Sequence, residues 1–246
     1  MNLFLHGVKD FQIVSDDTLK NPAFLERDKL KQFDLVLANP PYSISQWDRE
    51  AFSSDKYGRN FLGTPPQGRA DYAFFQHILR SLKSGTGRCA ILFPHGVLFR
   101  KEESAMRENL IKSDLVECVI GLGPNLFFNA PMEACIVICR TNKPLNRRGK
   151  ILFINAVEEV IRKNAQSFLE EQHIKRIADA YTAFDDVVNF AYVASVAEIA
   201  QFDNSLSISL YARNSQVNNP VESVSLTESI ELWNESRYEM QAAFSE

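Results

Sequence analysis

The sequence predicts an α/β fold built on a mostly parallel central sheet. Two observations point there. Short apolar runs alternate with segments whose apolar residues recur at helical spacing, and one such run is cut off at its C-terminal end by a double proline. The composition is that of a globular chain, 45% hydrophobic and 24% charged over 246 residues. A net charge of −4 excludes a chain-wide electrostatic attraction to nucleic acid, so any such interaction has to come from a local site. The longest apolar runs, Ala90–Phe93, Leu115–Ile120 and Ala134–Cys139, fall well short of the roughly 18 residues that cross a bilayer. Met1–Gly7 lacks the basic flank of a secretory signal. Cys89, Cys118, Cys135 and Cys139 all sit in strand-like runs with no C-x-x-C pair. A cytoplasmic protein with buried free thiols and no membrane contact is expected.

The elements follow in order. Residues 1–7 read as the last turns of a helix stopped by Gly7, with no cap in front of it, so the chain is expected to open inside a larger architecture. Phe11–Val14 reads as a short strand and Phe33–Ala38 as a buried one. Residues 43–69, rich in Ser, Gly, Pro and charge, read as a long functional loop. Ala70–Lys83 carries Tyr72, Phe75, Ile78, Leu79 and Leu82 at helical spacing, with Asp71 in the first turn. Arg88–Phe93 is a strand, Glu102–Lys112 a helix, Leu115–Ile120 a strand and Ala134–Arg140 the last strand of this block. The pattern then changes to a strand at Ile151–Asn155, a helix at Phe168–Tyr181 and a small strand–helix–strand unit over Tyr192–Ile208. Residues 213–222 are polar, and Leu226, Ile230, Trp233, Met240 and Phe244 mark one face of a closing helix. Three segments result: 1–148, 149–212 with α+β character, and 213–246 as linker and amphipathic helix.

The strongest chemical signal is Asn39-Pro40-Pro41-Tyr42, directly after the buried strand. In a parallel sheet, loops at the carboxyl ends of strands are where ligands bind. These residue types suit methylation of an exocyclic amine on a flat ring. Such an amine is a poor nucleophile because its lone pair is delocalised into the ring. Two acceptors aimed at its hydrogens would localise that pair and stabilise the charge that develops on attack. The Asn39 side-chain oxygen offers one acceptor and the Pro40 carbonyl the other. The double proline stiffens the loop, and Tyr42 offers a stacking face. A rigid proline turn over a packed aromatic is the plainer alternative.

The tetrad after an apolar strand resembles the catalytic motif of amino-group methyltransferases. With Phe33–Ser43, Ala70-Asp71-Tyr72-Ala73-Phe74, Leu92–Arg100, Asn125-Leu126-Phe127-Phe128 and the weaker Asn204–Tyr211, the chain is similar to the modification subunit of type I restriction–modification enzymes. The resemblance runs from residue 1 to about 212. It implies a Rossmann-like, S-adenosylmethionine-dependent adenine-N6 DNA methyltransferase whose target base is flipped out of double-stranded DNA into the pocket of Asn39, Pro40, Pro41 and Tyr42. It further implies Asp17 beside the adenine of the cofactor, with Asp16 where the family prefers Gly, and Phe127 or Phe128 with Tyr42 around the flipped base. Core packing is the competing role for both phenylalanines. A separate DNA-specificity subunit is the implied partner.

The resemblance also sets a departure. The family's glycine-rich cofactor loop and the acidic residue for the ribose lie upstream of Met1. Gly85-Thr86-Gly87 and Gly121-Leu122-Gly123 are not substitutes and read as turns. An N-terminally truncated sheet lacking its first two strands is therefore expected, from a split or truncated gene, from a misassigned start, or with a second polypeptide, an N-terminal methyltransferase fragment, supplying the front. A non-catalytic relic or an assembly module for the specificity subunit is the alternative function. Methylation of glutamine side chains, where the same tetrad occurs, is disfavoured by the Asp71–Phe74 and Pro94-His95-Gly96 blocks. Without the two strands, Phe11–Val14 is expected to slide against Phe33–Ala38 and close the gap. The basic run 140–150 is read as a solvated loop rather than a phosphate contact. His6, His77, His95 and His173 show no ligand spacing, so no metal is expected.

Overall fold

The computed structural model describes residues 2–127, 132–164 and 166–213; the expected closing helix lies outside these residues. Six strands form the central sheet: β3 (Leu35–Ala38), β4 (Arg88–Pro94), β5 (Val116–Leu122), β6 (Ala134–Arg140), β7 (Lys150–Ala156) and β10 (Ala191–Ser195), in the order β10-β7-β5-β6-β4-β3. The pairs β3·β4 and β5·β7 are parallel, whereas β6 and β10 run against their neighbours. Four of the six strands thus share one direction, in a mixed sheet. β7 lies beside β5, so segments 1–148 and 149–212 contribute to the same sheet. Two small hairpins flank it, β1 (Leu25–Glu26) with β2 (Lys29–Leu30) and β8 (Ile161–Lys163) with β9 (Gln166–Phe168).

The helices are α1 (Asn2–Leu5), α2 (Arg49–Ser53), α3 (Asp71–Arg80), α4 (Ser104–Lys112), α5 (Glu171–Ala183) and α6 (Val196–Gln201). One face of the sheet packs Ile91, Phe93, Val119, Val137 and Phe153 against Tyr72 and Phe75 of α3, Leu110 and Ile111 of α4 and Ile199 of α6. The other face sets Cys118, Ile120, Leu152 and Ile154 against Ala180 of α5 and Phe184, its left-handed C-cap. Because β5 is covered on both faces, all of its residues are buried, as expected for a central strand. The cover does not extend to β3. Val36 and Ala38 reach the core, while Leu35 and Leu37 are 52% and 73% exposed.

Several expectations are corrected. Phe11–Val14 is not a strand; these residues are extended chain with exposed side chains. The slide against β3 does not occur: β3 pairs with β4 on one edge and with none of the described residues on the other. An isolated short run has no ladder to hold it as a strand. The hairpin β1–β2 turns at Arg27, with φ 56°, and has no Asn-Gly or Asp-Gly to announce it. The second strand expected near Ile208 is a 3₁₀ turn at Ile208–Leu210. Gly121 is not in a turn but within β5, where a Cβ would stand 2.8 Å from Ile208 Cδ1. The basic run is a largely exposed loop, but three of its basic side chains are turned inward or paired. Lys143 is buried and bonds to Asp114 at 2.6 Å, while Arg140 and Arg147 pair with the buried Glu117 at 3.5 and 3.4 Å. The four cysteines are buried and free. Among the described residues no helix is long and apolar enough to cross a membrane, and no cluster could hold a metal ion.

Candidate functional site

The parallel strands β3 and β4 end side by side, so Asn39-Pro40-Pro41-Tyr42 and His95–Arg100 emerge at the same carboxyl edge, the edge at which open α/β sheets place ligands. Pro40 is buried. Asn39 is exposed and its side chain bonds to none of the described residues, which leaves its acceptor available. Tyr42 is half-buried. Desolvation pushes its phenol above the ordinary value, with Cys135 and Asp71 acting in the same direction, so the ring stands neutral beside the tetrad.

The chain leaves Tyr42 through a tightly held corner. Ser43 adopts φ 51°, a left-handed conformation that costs a non-glycine residue roughly 1–2 kcal/mol. Two bonds hold it there. Ser43 N–H donates to Asp71 Oδ1 at 2.8 Å, and Ala70 N–H donates to Ile44 O at 3.1 Å. Asp71, 1% exposed in the first turn of α3, receives Arg100 Nη1 on Oδ2 at 2.6 Å. The same nitrogen lies 3.6 Å from Glu103 Oε2. Glu103 is fully buried and neither of its oxygens accepts a hydrogen bond. Burial pushes its carboxyl up to about 7, against a smaller opposing pull from Arg100. Gly96 makes room for this arrangement, because a Cβ there would collide with Arg100 Nε and stand 2.7 Å from Nη2. Asp71, Arg100 and Glu103 went unassigned in the sequence. Asp71 reads there as a helix-start acid, Arg100 as the end of the Leu92–Arg100 block and Glu103 as part of the helix Glu102–Lys112.

Asp17 occupies a second neighbourhood. Its Oδ1 accepts the N–H groups of Leu19 and Lys20 at 3.0 and 3.1 Å, forming an Asx-type turn. Arg59, 2% exposed, fastens that turn to the loop after the tetrad by donating to Thr18 O at 3.2 Å and Leu19 O at 2.8 Å while paired with Asp55 at 2.6 Å. His77 Nδ1 stands 3.3 Å from Arg59 Nη1; burial, reinforced by the guanidinium, lowers the His77 pKa to about 4. Between turn and loop is a cavity of about 280 Å³ lined by Asp17, Leu19, Trp47, Phe52, Tyr57 and Arg59, among others. Ligand pockets commonly measure about 300–1,000 Å³, so this cavity suits a flat ring rather than a whole nucleoside cofactor. The loop itself is more ordered than its sequence implies: α2 is capped by Asp48, and Trp47 Nε1 donates to Gln67 O at 2.9 Å.

Phe127 packs against the core face covered by α5, and no ring contact joins it to Tyr42. Phe128 lies outside the described residues. Cys135, across β6 from Phe93, belongs to the opposite core, the one that bears on Tyr42. His95 Nδ1 lies 3.2 Å from Glu133 Oε2, and burial lowers its pKa.

The mixed sheet and the tetrad at its carboxyl edge define the methyltransferase-type α/β class. More narrowly, the chain belongs to the N-6 DNA methylase family, whose model matches residues 1–219. It is 35% identical over 223 residues to the type I restriction enzyme MjaVIII methylase subunit of Methanocaldococcus jannaschii, covering 86% of this chain and 38% of that protein. It is 31% identical to the HindI methylase subunit of Haemophilus influenzae, covering 86% of this chain and 48% of the relative. A crystal structure of the type I restriction-modification system methyltransferase subunit from Streptococcus thermophilus superposes with a TM-score of 0.79 at 34% identity, over 87% of this chain and 45% of that one. The chain therefore spans less than half the length of these relatives.

Proposed function

We propose that this chain carries the target-base half of an S-adenosylmethionine-dependent adenine-N6 DNA methyltransferase, acting in the cytoplasm as part of a type I modification subunit. The observation that supports it best is the unpartnered, exposed Asn39 side chain at the carboxyl edge of the sheet, followed by the stiff Pro40-Pro41 pair and the half-buried Tyr42. In this reading an adenine flipped from duplex DNA stacks on Tyr42. Its amino hydrogens are accepted by the Asn39 oxygen and the Pro40 carbonyl, which concentrates the nitrogen lone pair and stabilises the charge that develops on attack. S-adenosylmethionine, when bound, supplies an electrophilic methyl group. Asp17 fits its adenine end, because Oδ2 accepts no bond from the described residues and the neighbouring cavity admits a flat ring. Phe127 and Phe128 are assigned to the base site in this reading. Residues 149–212 form the small extension, and a DNA-specificity subunit supplies sequence recognition.

The test is nucleoside analysis of DNA incubated with S-adenosylmethionine and the chain assembled with a specificity subunit and an N-terminal methyltransferase fragment. N6-methyladenine is the expected product. A different methylated base, or methylated protein glutamine, refutes the reading. Capture of the specificity subunit with no methylation by the complete assembly favours a non-catalytic assembly module.

A further inference from the structure

We propose that Asp71, gripped by Arg100, is the positioning residue that sets the Tyr42 face, and that Glu103 tunes this grip by competing for the same guanidinium nitrogen. The role assigned to Tyr42 rests on the proposed function; the geometry of the grip does not.

Tyr42 is followed at once by a residue in the left-handed region, Ser43. A serine holds that conformation only where its surroundings over-determine it. Here they do so from both sides. The Ser43 N–H is taken by Asp71, and the Ile44 carbonyl is taken by the N–H of Ala70, one residue earlier on the same helix entry. The two bonds run in opposite senses, so they fix both the distance and the direction in which the chain leaves Tyr42. Asp71 cannot rotate away, because its other oxygen is held at 2.6 Å by Arg100. Arg100 is in turn seated over Gly96, and its own carbonyl accepts from Arg107 Nη1 at 2.9 Å. Every link from Tyr42 to α4 is therefore a direct bond or an enforced contact.

Glu103 is the loose member. It is buried, its oxygens accept no hydrogen bond, and Arg100 Nη1 is 3.6 Å away. The charged groups that face it are Arg100, Asp71, Arg69 and Arg107, with the Tyr72 hydroxyl alongside. Nη1 carries two N–H donors, but it sits at 2.6 Å from Asp71 and 3.6 Å from Glu103, so a shift toward Glu103 loosens the bond to Asp71. When Glu103 is protonated, Arg100 belongs to Asp71. When Glu103 ionises, it draws the same nitrogen toward itself, and the acceptor strength of Asp71 for the Ser43 N–H changes. Burial places that ionisation near neutrality, where it can matter.

The experiment is amide-resolved NMR of the full chain, which needs no cofactor, DNA or activity. In the wild type, the Ser43 amide is expected to shift with pH along a single curve centred near neutrality. In Glu103→Gln the curve should be flat while Ser43 remains protected from exchange. In Asp71→Ala, exchange at Ser43 should rise about tenfold or more, with core amides such as Ile91 unchanged. Asp71→Asn, which retains an oxygen acceptor, should restore most of the protection. Unchanged Ser43 exchange in Asp71→Ala, or a Ser43 titration that persists in Glu103→Gln, overturns the proposal. If Asp71→Ala does not fold, the wild type and Glu103→Gln pair decides it. In an active assembly, Asp71→Ala should lower kcat with KM for S-adenosylmethionine unchanged. A silent assembly combined with the expected NMR result would refute the proposed function and leave the positioning role standing.

Discussion

The corner that follows Tyr42 and the turn that carries Asp17 are the two halves of the candidate site, and they are secured very differently. The corner is held by one backbone bond, a buried carboxylate that takes the Ser43 N–H, and a guanidinium that itself rests on a glycine. The Asp17 turn lies on a mostly exposed arm whose neighbours Phe11, Ile13 and Val14 face solvent, and Arg59 is its main fastening. On the corner side Asp71, Arg100 and Gly96 form a linked series, and each link helps to set the geometry after Tyr42. On the Asp17 side, Arg59 and the packing of Leu19 carry the hold. In the proposed reading, preorganisation belongs to the target-base side, where acceptors must be aimed before the reacting amine arrives.

Breaking the weaker side should give the largest effect on stability. Arg59→Ala leaves Asp55 buried without its partner and frees the Thr18 and Leu19 carbonyls, so a loss of about 3–5 kcal/mol is expected in urea unfolding. Faster hydrogen exchange should appear first at residues 17–21. Exchange that rises equally in the Tyr42 corner would erase the distinction between the halves. Tyr42→Ala should come next, weakening the hold on a flipped base by about 1–3 kcal/mol, with Tyr42→Phe near wild type. Equal loss in both variants would assign the work to the hydroxyl. Gly96→Ala attacks the corner indirectly by pushing Arg100 off its seat, at a cost of about 1–3 kcal/mol, and should be checked by calorimetry.

The legibility of these regions in the sequence follows the same division. β4, β5, β6 and β7 were readable because buried strands are continuous apolar runs, and α3 because its apolar positions keep helical spacing. The place of the tetrad was legible because its four residues are consecutive and directly follow an apolar strand. The Asp71–Arg100–Glu103 grip was not, since Asp71 is distant in sequence from the other two and each member has an ordinary local explanation. Phe11–Val14 misled for the opposite reason. A β-prone run specifies a strand only when a neighbour offers a ladder, and none of the described residues does. The run 140–150 looked solvated because sequence counts charges and does not show Asp114 and Glu117 facing them.

Two smaller effects sharpen the comparison. The Glu103 carboxyl is raised to about 7 in the folded chain from an ordinary value of 4.5. Its contribution to stability is therefore present below pH 4.5 and lost as pH rises through about 7. His77 and His95, whose pKa values burial lowers, contribute in the opposite sense, so the expected outcome is a difference. Wild type should lose stability relative to Glu103→Gln between pH 5 and pH 8, and identical slopes in urea unfolding would remove Glu103 from the scheme. Leu37→Lys, on the exposed face of β3, should change stability by no more than about 0.5 kcal/mol and reduce self-association in sedimentation. A large destabilisation would mean that this face is covered.

The most direct test of the central claim is the single-turnover rate of methyl transfer by the complete assembly carrying Asn39→Ala, at saturating S-adenosylmethionine, with the dissociation constant of the cofactor measured on the same sample. Removing an acceptor that acts on the developing charge predicts a rate about 10²–10³-fold lower with cofactor affinity unchanged. A rate near wild type, or a loss explained wholly by weaker cofactor binding, would contradict the assignment of Asn39 to the reacting amine.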